Sequence, residues 1–227
     1  MSVDPKKEKH SMRKIFAIFL AVFMAAALPL CGCEEKIEPP ETKPTEPADP
    51  NVGDGATLET AVATHRVTII IENYGTIKAE LYGKTAPISV ANFVSLAESG
   101  FYNGLTFHRI IEGFMMQGGA PDSDSPAVTP IKGEFQSNGV ENNLLHKRGV
   151  LSMARTNIPD SATSQFFIIH QDSPHLDGNY AAFGMVTEGL DVVDAICTTV
   201  IPSGGNGAIA AIDQPVIRSI TVEAVTE

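Results

Sequence analysis

Positive charge is scarce in this chain. Only 16 of its 227 residues are Lys or Arg against 27 Asp or Glu, a formal net charge of −11. No basic stripe runs along it, which excludes a nucleic-acid backbone as a partner. Cysteine is scarce as well: Cys31 and Cys33 sit two apart near the N-terminus and Cys197 stands alone, so there is no disulfide framework. No uncharged apolar run reaches the roughly 20 residues that a spanning helix needs. His108, His146, His170 and His175 lack metal-ligand spacing, so no metal is expected. The glycine-rich run Gly204–Gly207 is followed by no helical pattern and reads as a turn before the last strand, not a phosphate loop. No cofactor is called for.

What is present begins with Ile15–Leu30, 16 apolar residues preceded by Arg13 and Lys14 and interrupted by Pro29. That length and those flanks fit a secretory signal within residues 1–32. Met12 opens the compact start Met-Arg-Lys, which makes Met1–Ser11 an upstream extension. The run ends Leu30-Cys31-Gly32-Cys33, which resembles the bacterial lipobox. Cys33 is the lipidation candidate, because signal peptidases want a small residue before the cut and Cys31 follows bulky Leu30. The resemblance implies an exported protein anchored in a lipid membrane through acylated Cys33, on the extracytoplasmic face.

Residues 33–64 form a tether. Glu34–Gly55 carries five prolines and seven acidic residues without apolar periodicity, and such a stretch cannot bury enough surface to offset its chain entropy. Without residues 1–32 the chain keeps 11 Lys/Arg against 25 Asp/Glu, so an anionic lipid surface does not attract the domain itself.

Residues 65–227 are long enough for one core. Val67–Asn73 and Ile77–Leu81 read as a hairpin with one wet face. Thr85 is the expected cap of a helix in which Val90, Phe93, Val94 and Ala97 recur at i, i+3, i+4 and i+7, with Gly100 just beyond. Short apolar runs follow at 107–111, 114–117, 149–153, 165–169 and 181–186, then a short helix over 190–197 that buries Cys197, and a closing strand over 216–225. Two helices among many short strands indicate an antiparallel barrel or sandwich. The long polar stretch 120–143 is an excursion of the kind that carries function.

Phe107–Gly119, FHRIIEGFMMQGG, places one arginine in an apolar, strand-like run. Alone, Arg109 reads as a surface residue with its stem packed and its head in water. Strict alternation would group it with Phe107 and Ile111 against His108 and Ile110. Phe114, Met115 and Gln117 supply an apolar wall and an amide beside it, the composition of a small-ligand or peptide site.

FHRIIEGFMMQGG, together with LSMA at 151–154, SQFFI at 164–168, LDG at 176–178, FGMVTEGLDVVDAI at 183–196 and the helix segment from Ile88 to Arg109, closely resembles the cyclophilin family of peptidyl-prolyl cis/trans isomerases. The resemblance covers essentially all of residues 66–225. It implies a mainly β fold, a closed eight-stranded antiparallel barrel capped by two helices, and a monomer acting on proline-containing polypeptides. By resemblance Arg109 is catalytic. Phe114, Met115, Phe167 and Leu176 line the proline pocket, Gln117 binds substrate backbone, Ala154 and Arg155 add main-chain contacts, and Gln165 supports that wall. Alternation sends one of Phe166 and Phe167 into the core and the other outward.

Three departures from the family stand out. His175 replaces the tryptophan that many members carry before the LDG turn, and Tyr180 replaces a histidine. Both changes resemble bacterial relatives and imply weakened cyclosporin binding. Arg155–Thr163 diverges, which leaves open how peptide residues beyond the proline are held. The family implies an isomerase of secreted or envelope proteins; a non-catalytic module holding peptides in the same groove is the alternative.

Overall fold

In the computed structural model, residues 61–226 are described. The signal-like segment, Cys31, Cys33 and the proline-rich stretch lie outside the described residues. Eight strands and two helices follow one another as β1 (His65–Ile71), β2 (Gly75–Leu81), α1 (Pro87–Glu98), β3 (Phe107–Ile111), β4 (Met115–Gly118), β5 (Val150–Met153), β6 (Phe166–Ile169), β7 (Ala182–Glu188), α2 (Leu190–Thr199) and β8 (Ile217–Ala224). Every strand pairing is antiparallel, in the order β3-β4-β6-β5-β7-β2-β1-β8.

Alternation divides the apolar residues into two clusters on opposite sheet faces. Phe166, Ile168, Met116, Leu151 and Phe183 join the main core under the helices, whereas their neighbours Phe167, Ile169, Met115, Val150 and Ala182 form a second cluster. Strands β5 and β6 are therefore buried at every position, which is why they read as continuous apolar runs in the sequence. In the main core Phe93 of α1 packs against Tyr102, Phe166 and Phe183, with ring centroids 5.2–5.3 Å apart. Cys197 is buried in the same core, and desolvation followed by the nearby Asp194 and Glu112 charges pushes its thiol up to about 12.

Thr85 does not cap α1. Ala86 is the N-cap and makes no side-chain bond, and Pro87 opens the helix, where its missing N–H costs nothing. The cap comes from the distant loop: buried Glu134 accepts from Ile88 N–H at 2.9 Å and from Ser89 N–H at 2.7 Å. A carboxylate there also opposes the helix dipole favourably. The far end closes as a Schellman motif, Gly100 at φ +74 donating to Ala97 O and Phe101 to Leu96 O.

Eight antiparallel strands and two helices match the expectation, but a closed ladder does not form. The start of β3 and the start of β8 meet through the isolated bridge Thr106–Val216 and the main-chain bonds Gly104 N–H to Ile217 O, Phe107 N–H to Pro215 O and Ile217 N–H to Leu105 O, with no continuous pairing beyond them among the described residues. Further along, the free edge of β3 is occupied by another segment: Arg109 bridges Ala208, and Ile209 N–H donates to His108 O at 3.0 Å. The sheet is curled and open, because residues 206–209 fill the edge that a closing strand would need.

Candidate active site

The placement of Arg109 follows from a break in β3. Phe107 pairs with Gly118, but Arg109 pairs with Gln117 and Ile110 with Met116, so two residues of β3 oppose one of β4 around His108. This β-bulge shifts the side-chain phase by one residue. Phe107 and Ile110 both enter the core, fully buried, and Arg109, half-buried, turns to the other face. Simple alternation could not satisfy both demands.

Three contacts hold the guanidinium. Its Nε donates to the main-chain oxygen of Asn206 at 2.7 Å. Its Nη1 donates to Gln117 Oε1 at 3.3 Å and lies 3.9 Å from Met115 Sδ. Gln117 is held in turn, its Nε2 donating to Gln165 Oε1 at 2.9 Å. Among the described residues Nη2 has no hydrogen-bond partner, so an N–H pair stays available at the mouth of the cavity beside it.

That cavity measures about 130 Å³ and takes its lining from four places in the chain. Arg109, Phe114, Met115 and Gln117 come from the β3–β4 hairpin, Ala154 and Arg155 follow β5, Phe167 lies on β6, and Leu176 and Tyr180 sit before β7. Surveyed small-molecule sites run from roughly 300 to 1,000 Å³; this one suits a single ring. Nine of the sequence-derived residues thus converge. Gln165 and His175 stand behind them: Gln165 holds the Gln117 amide, and His175 packs on Phe114 with ring centroids 5.2 Å apart. A larger cleft of about 710 Å³ near the β1–β2 turn contains none of these residues.

Two supports escaped the sequence reading. Asn206 has φ +65, a left-handed conformation that asparagine tolerates better than most residues. Its glycine neighbours were the legible signal. Gly207, at φ +78, lies so close to Ile110 O that a Cβ would collide with it. The other support is His146, buried under the cavity floor. Its ring stacks on Phe167 at 6.2 Å and meets Tyr180 edge-on at 6.5 Å. Its Nδ1 lies 3.0 Å from Asp177 Oδ1 and its Nε2 3.0 Å from Ser152 Oγ. Burial holds this imidazole below its ordinary value, against the opposing pull of the Asp177 carboxylate.

Comparison with known proteins bears on this geometry. The family model described as cyclophilin type peptidyl-prolyl cis-trans isomerase/CLD matches residues 66–225. A peptidyl-prolyl cis-trans isomerase of Acinetobacter baylyi is 43% identical over 159 residues, covering 66% of this chain and 81% of that one. One from Helicobacter pylori is 47% identical over 143 residues, covering 61% and 81%. Among solved structures, a Cryptosporidium parvum cyclophilin type peptidyl-prolyl cis-trans isomerase superposes with a TM-score of 0.60 at 30% identity, over 72% of this chain and 99% of its own. The same parasite protein studied in the presence of the dipeptide Ala-Pro gives a TM-score of 0.59 at 31% identity, over 70% and 99%.

Proposed function

The chain belongs to the cyclophilin-type peptidyl-prolyl cis-trans isomerases, and from that premise we propose that it catalyses X-Pro rotation through Arg109, with the proline ring in the 130 Å³ cavity. Rotation is slow because amide resonance sets a barrier of about 18–20 kcal/mol, although the two planar isomers differ by only about 0.5–1 kcal/mol. At the twisted geometry the proline nitrogen loses conjugation and its lone pair becomes basic. A donor aimed at that nitrogen stabilises the twisted form more than either planar form, and only such a differential lowers the barrier. Arginine suits the task because it stays protonated while donating.

The observation that carries this reading is the free Nη2 group of an Arg109 already anchored through Nε to Asn206 O. Phe114, Met115, Phe167 and Leu176 supply apolar walls for the ring, while Gln117, Ala154 and Arg155 border the substrate backbone and Gln165 keeps Gln117 oriented. Tyr180 completes the rim, and His175 backs Phe114. A module that merely held peptides would need these walls but not a positioned cation, which disfavours the non-catalytic alternative.

The mature chain is placed by this proposal on the extracytoplasmic face of a membrane through acylated Cys33, as a monomer acting on exported polypeptides. Support comes from the sequence of residues 13–33 and the proline-rich stretch after it. NMR exchange on an Ala-Pro peptide tests the activity, and absence of acceleration would overturn it. Mass spectrometry of membrane-purified protein tests the anchor; a mature N-terminus other than acylated Cys33 would refute it.

A further inference from the structure

Of the five arginines among the described residues, three have a carboxylate within 4 Å: Arg66 with Glu80 at 3.9 Å, Arg148 with Asp194 at 2.9 Å and Arg218 with Glu72 at 3.9 Å. The two without one among the described residues, Arg109 and Arg155, line the same cavity. No Asp or Glu lines it. The surrounding protein has the opposite sign, with nine Lys/Arg against sixteen Asp/Glu between residues 61 and 226. An uncompensated pair of cations in an acidic domain focuses a local field of one sign.

Arg155 is also fixed in place. Its guanidinium lies over the Phe135 ring at 4.9 Å and the Tyr180 ring at 4.5 Å. Nε and Nη2 donate to Asn179 O at 3.1 and 2.7 Å, and Nη1 donates to Thr156 O at 2.8 Å. Both acceptors, Asn179 O and Thr156 O, are neutral carbonyls, so the positive charge is held without being cancelled. Three of the five guanidinium N–H bonds are used, leaving one each on Nη1 and Nη2. Asp177, next to the lining residue Leu176, is engaged elsewhere: it accepts from His146 N–H at 2.7 Å and faces Nδ1 of the same histidine.

Resting on the isomerase reading above, we propose that Arg155 is a specificity-determining residue, which directs this enzyme to proline segments bearing a carboxylate within one or two residues of the proline. The carboxylate is drawn to the unneutralised Arg155, while Arg109 keeps its free Nη2 for the proline nitrogen. A lysine at the same place meets two like charges instead. Complementarity of this kind acts through discrimination as much as attraction.

The test compares kcat/KM of the full chain, solubilised in detergent, on Ala-Ala-Pro-Phe and on the same peptide with Glu or Lys at either position before the proline. At low salt the better Glu peptide should exceed its Lys counterpart by about five- to tenfold, as expected for charges meeting at a partly wet surface. The ratio should shrink at high salt as the Debye length contracts. Arg155→Gln should bring it close to one, and Arg155→Lys should retain more than half of it. Because each ratio is taken within one protein, any general loss of rate in a variant cancels. If the neutral peptide is accelerated but Glu and Lys peptides react equally, or if Arg155→Gln leaves the ratio unchanged, the charge preference is refuted and the isomerase reading stands. If no peptide is accelerated, both fall. Should Arg155→Gln unfold by circular dichroism, Arg155→Lys and the salt dependence decide, and a ratio insensitive to salt counts against the proposal.

Discussion

Arg109 Nε donates to Asn206 O across 2.7 Å, joining two segments 97 residues apart in the chain. The bond uses one guanidinium edge to fix the orientation of the other. It exists because residues 206–209 pair with the edge of β3 in place of β8, so the opening in the sheet and the positioning of the arginine have one cause.

Replacing Arg109 by Ala removes the donor while leaving Phe107 and Ile110 in the core. The rate of X-Pro exchange should fall on the order of a hundredfold or more, the scale seen when one preorganised donor is deleted, with an unchanged circular dichroism spectrum. Arg109→Lys should recover little, since an ammonium cannot bond Asn206 O and also present a second, coplanar N–H pair.

Gly207→Ala attacks the same anchor from the other side. A Cβ at φ +78 would collide with Ile110 O, forcing residues 206–209 off the edge of β3. The expected result is a loss of roughly 1–3 kcal/mol of stability, with kcat falling by more than KM changes. Unfolding and kinetics on one preparation would check both.

Glu134→Ala leaves the Ile88 and Ser89 N–H groups without their acceptor at the start of α1, where Ile88 is exposed and Ser89 is buried. Losing a cap costs about 0.5–2 kcal/mol, and leaving the buried Ser89 donor unpaired raises this towards about 3 kcal/mol. Thermal unfolding should register that loss. Glu134→Gln, which keeps one acceptor oxygen, should recover part of it.

The pH dependence of stability should carry the signature of His146. Its folded-state pKa is lowered by burial, so the unfolded chain binds the extra proton first. The neutral form's contribution is complete above the ordinary value of about 6.5 and is lost as pH falls from there through the depressed folded value. Denaturant midpoints should therefore decline as pH drops below about 6.5. His146→Gln, though less stable at neutral pH, should show a shallower decline.

Much of the fold was legible because its rules are local. The wet-faced hairpin β1–β2 and the buried Val90, Phe93 and Ala97 of α1 follow from period alone, and Gly100 marked the end of α1, whereas Val94 of the expected stripe is only partly buried and Ser89 joins the buried face instead. The start of α1 was not legible: Thr85 satisfied the local rule, but the acceptor came from Glu134, 46 residues beyond the Ile88 N–H that it caps. The cavity walls were legible through family resemblance, since no periodicity links Phe114 with Leu176. The Asn206 contact was not, because its partner is a main-chain oxygen, whose position residue type does not specify.

Residue order alone determined which segments are extended, which are helical, and that apolar residues alternate onto two faces, because these depend on neighbours within a few positions. It also determined that a cation stands in an apolar run. Tertiary structure decided which way that cation points: full burial of both Phe107 and Ile110 requires the bulge at His108, and the bulge turns Arg109 outward. It likewise decided that the sheet stays open, because an edge hydrogen-bonds only once and residues 206–209 reached β3 where β8 did not.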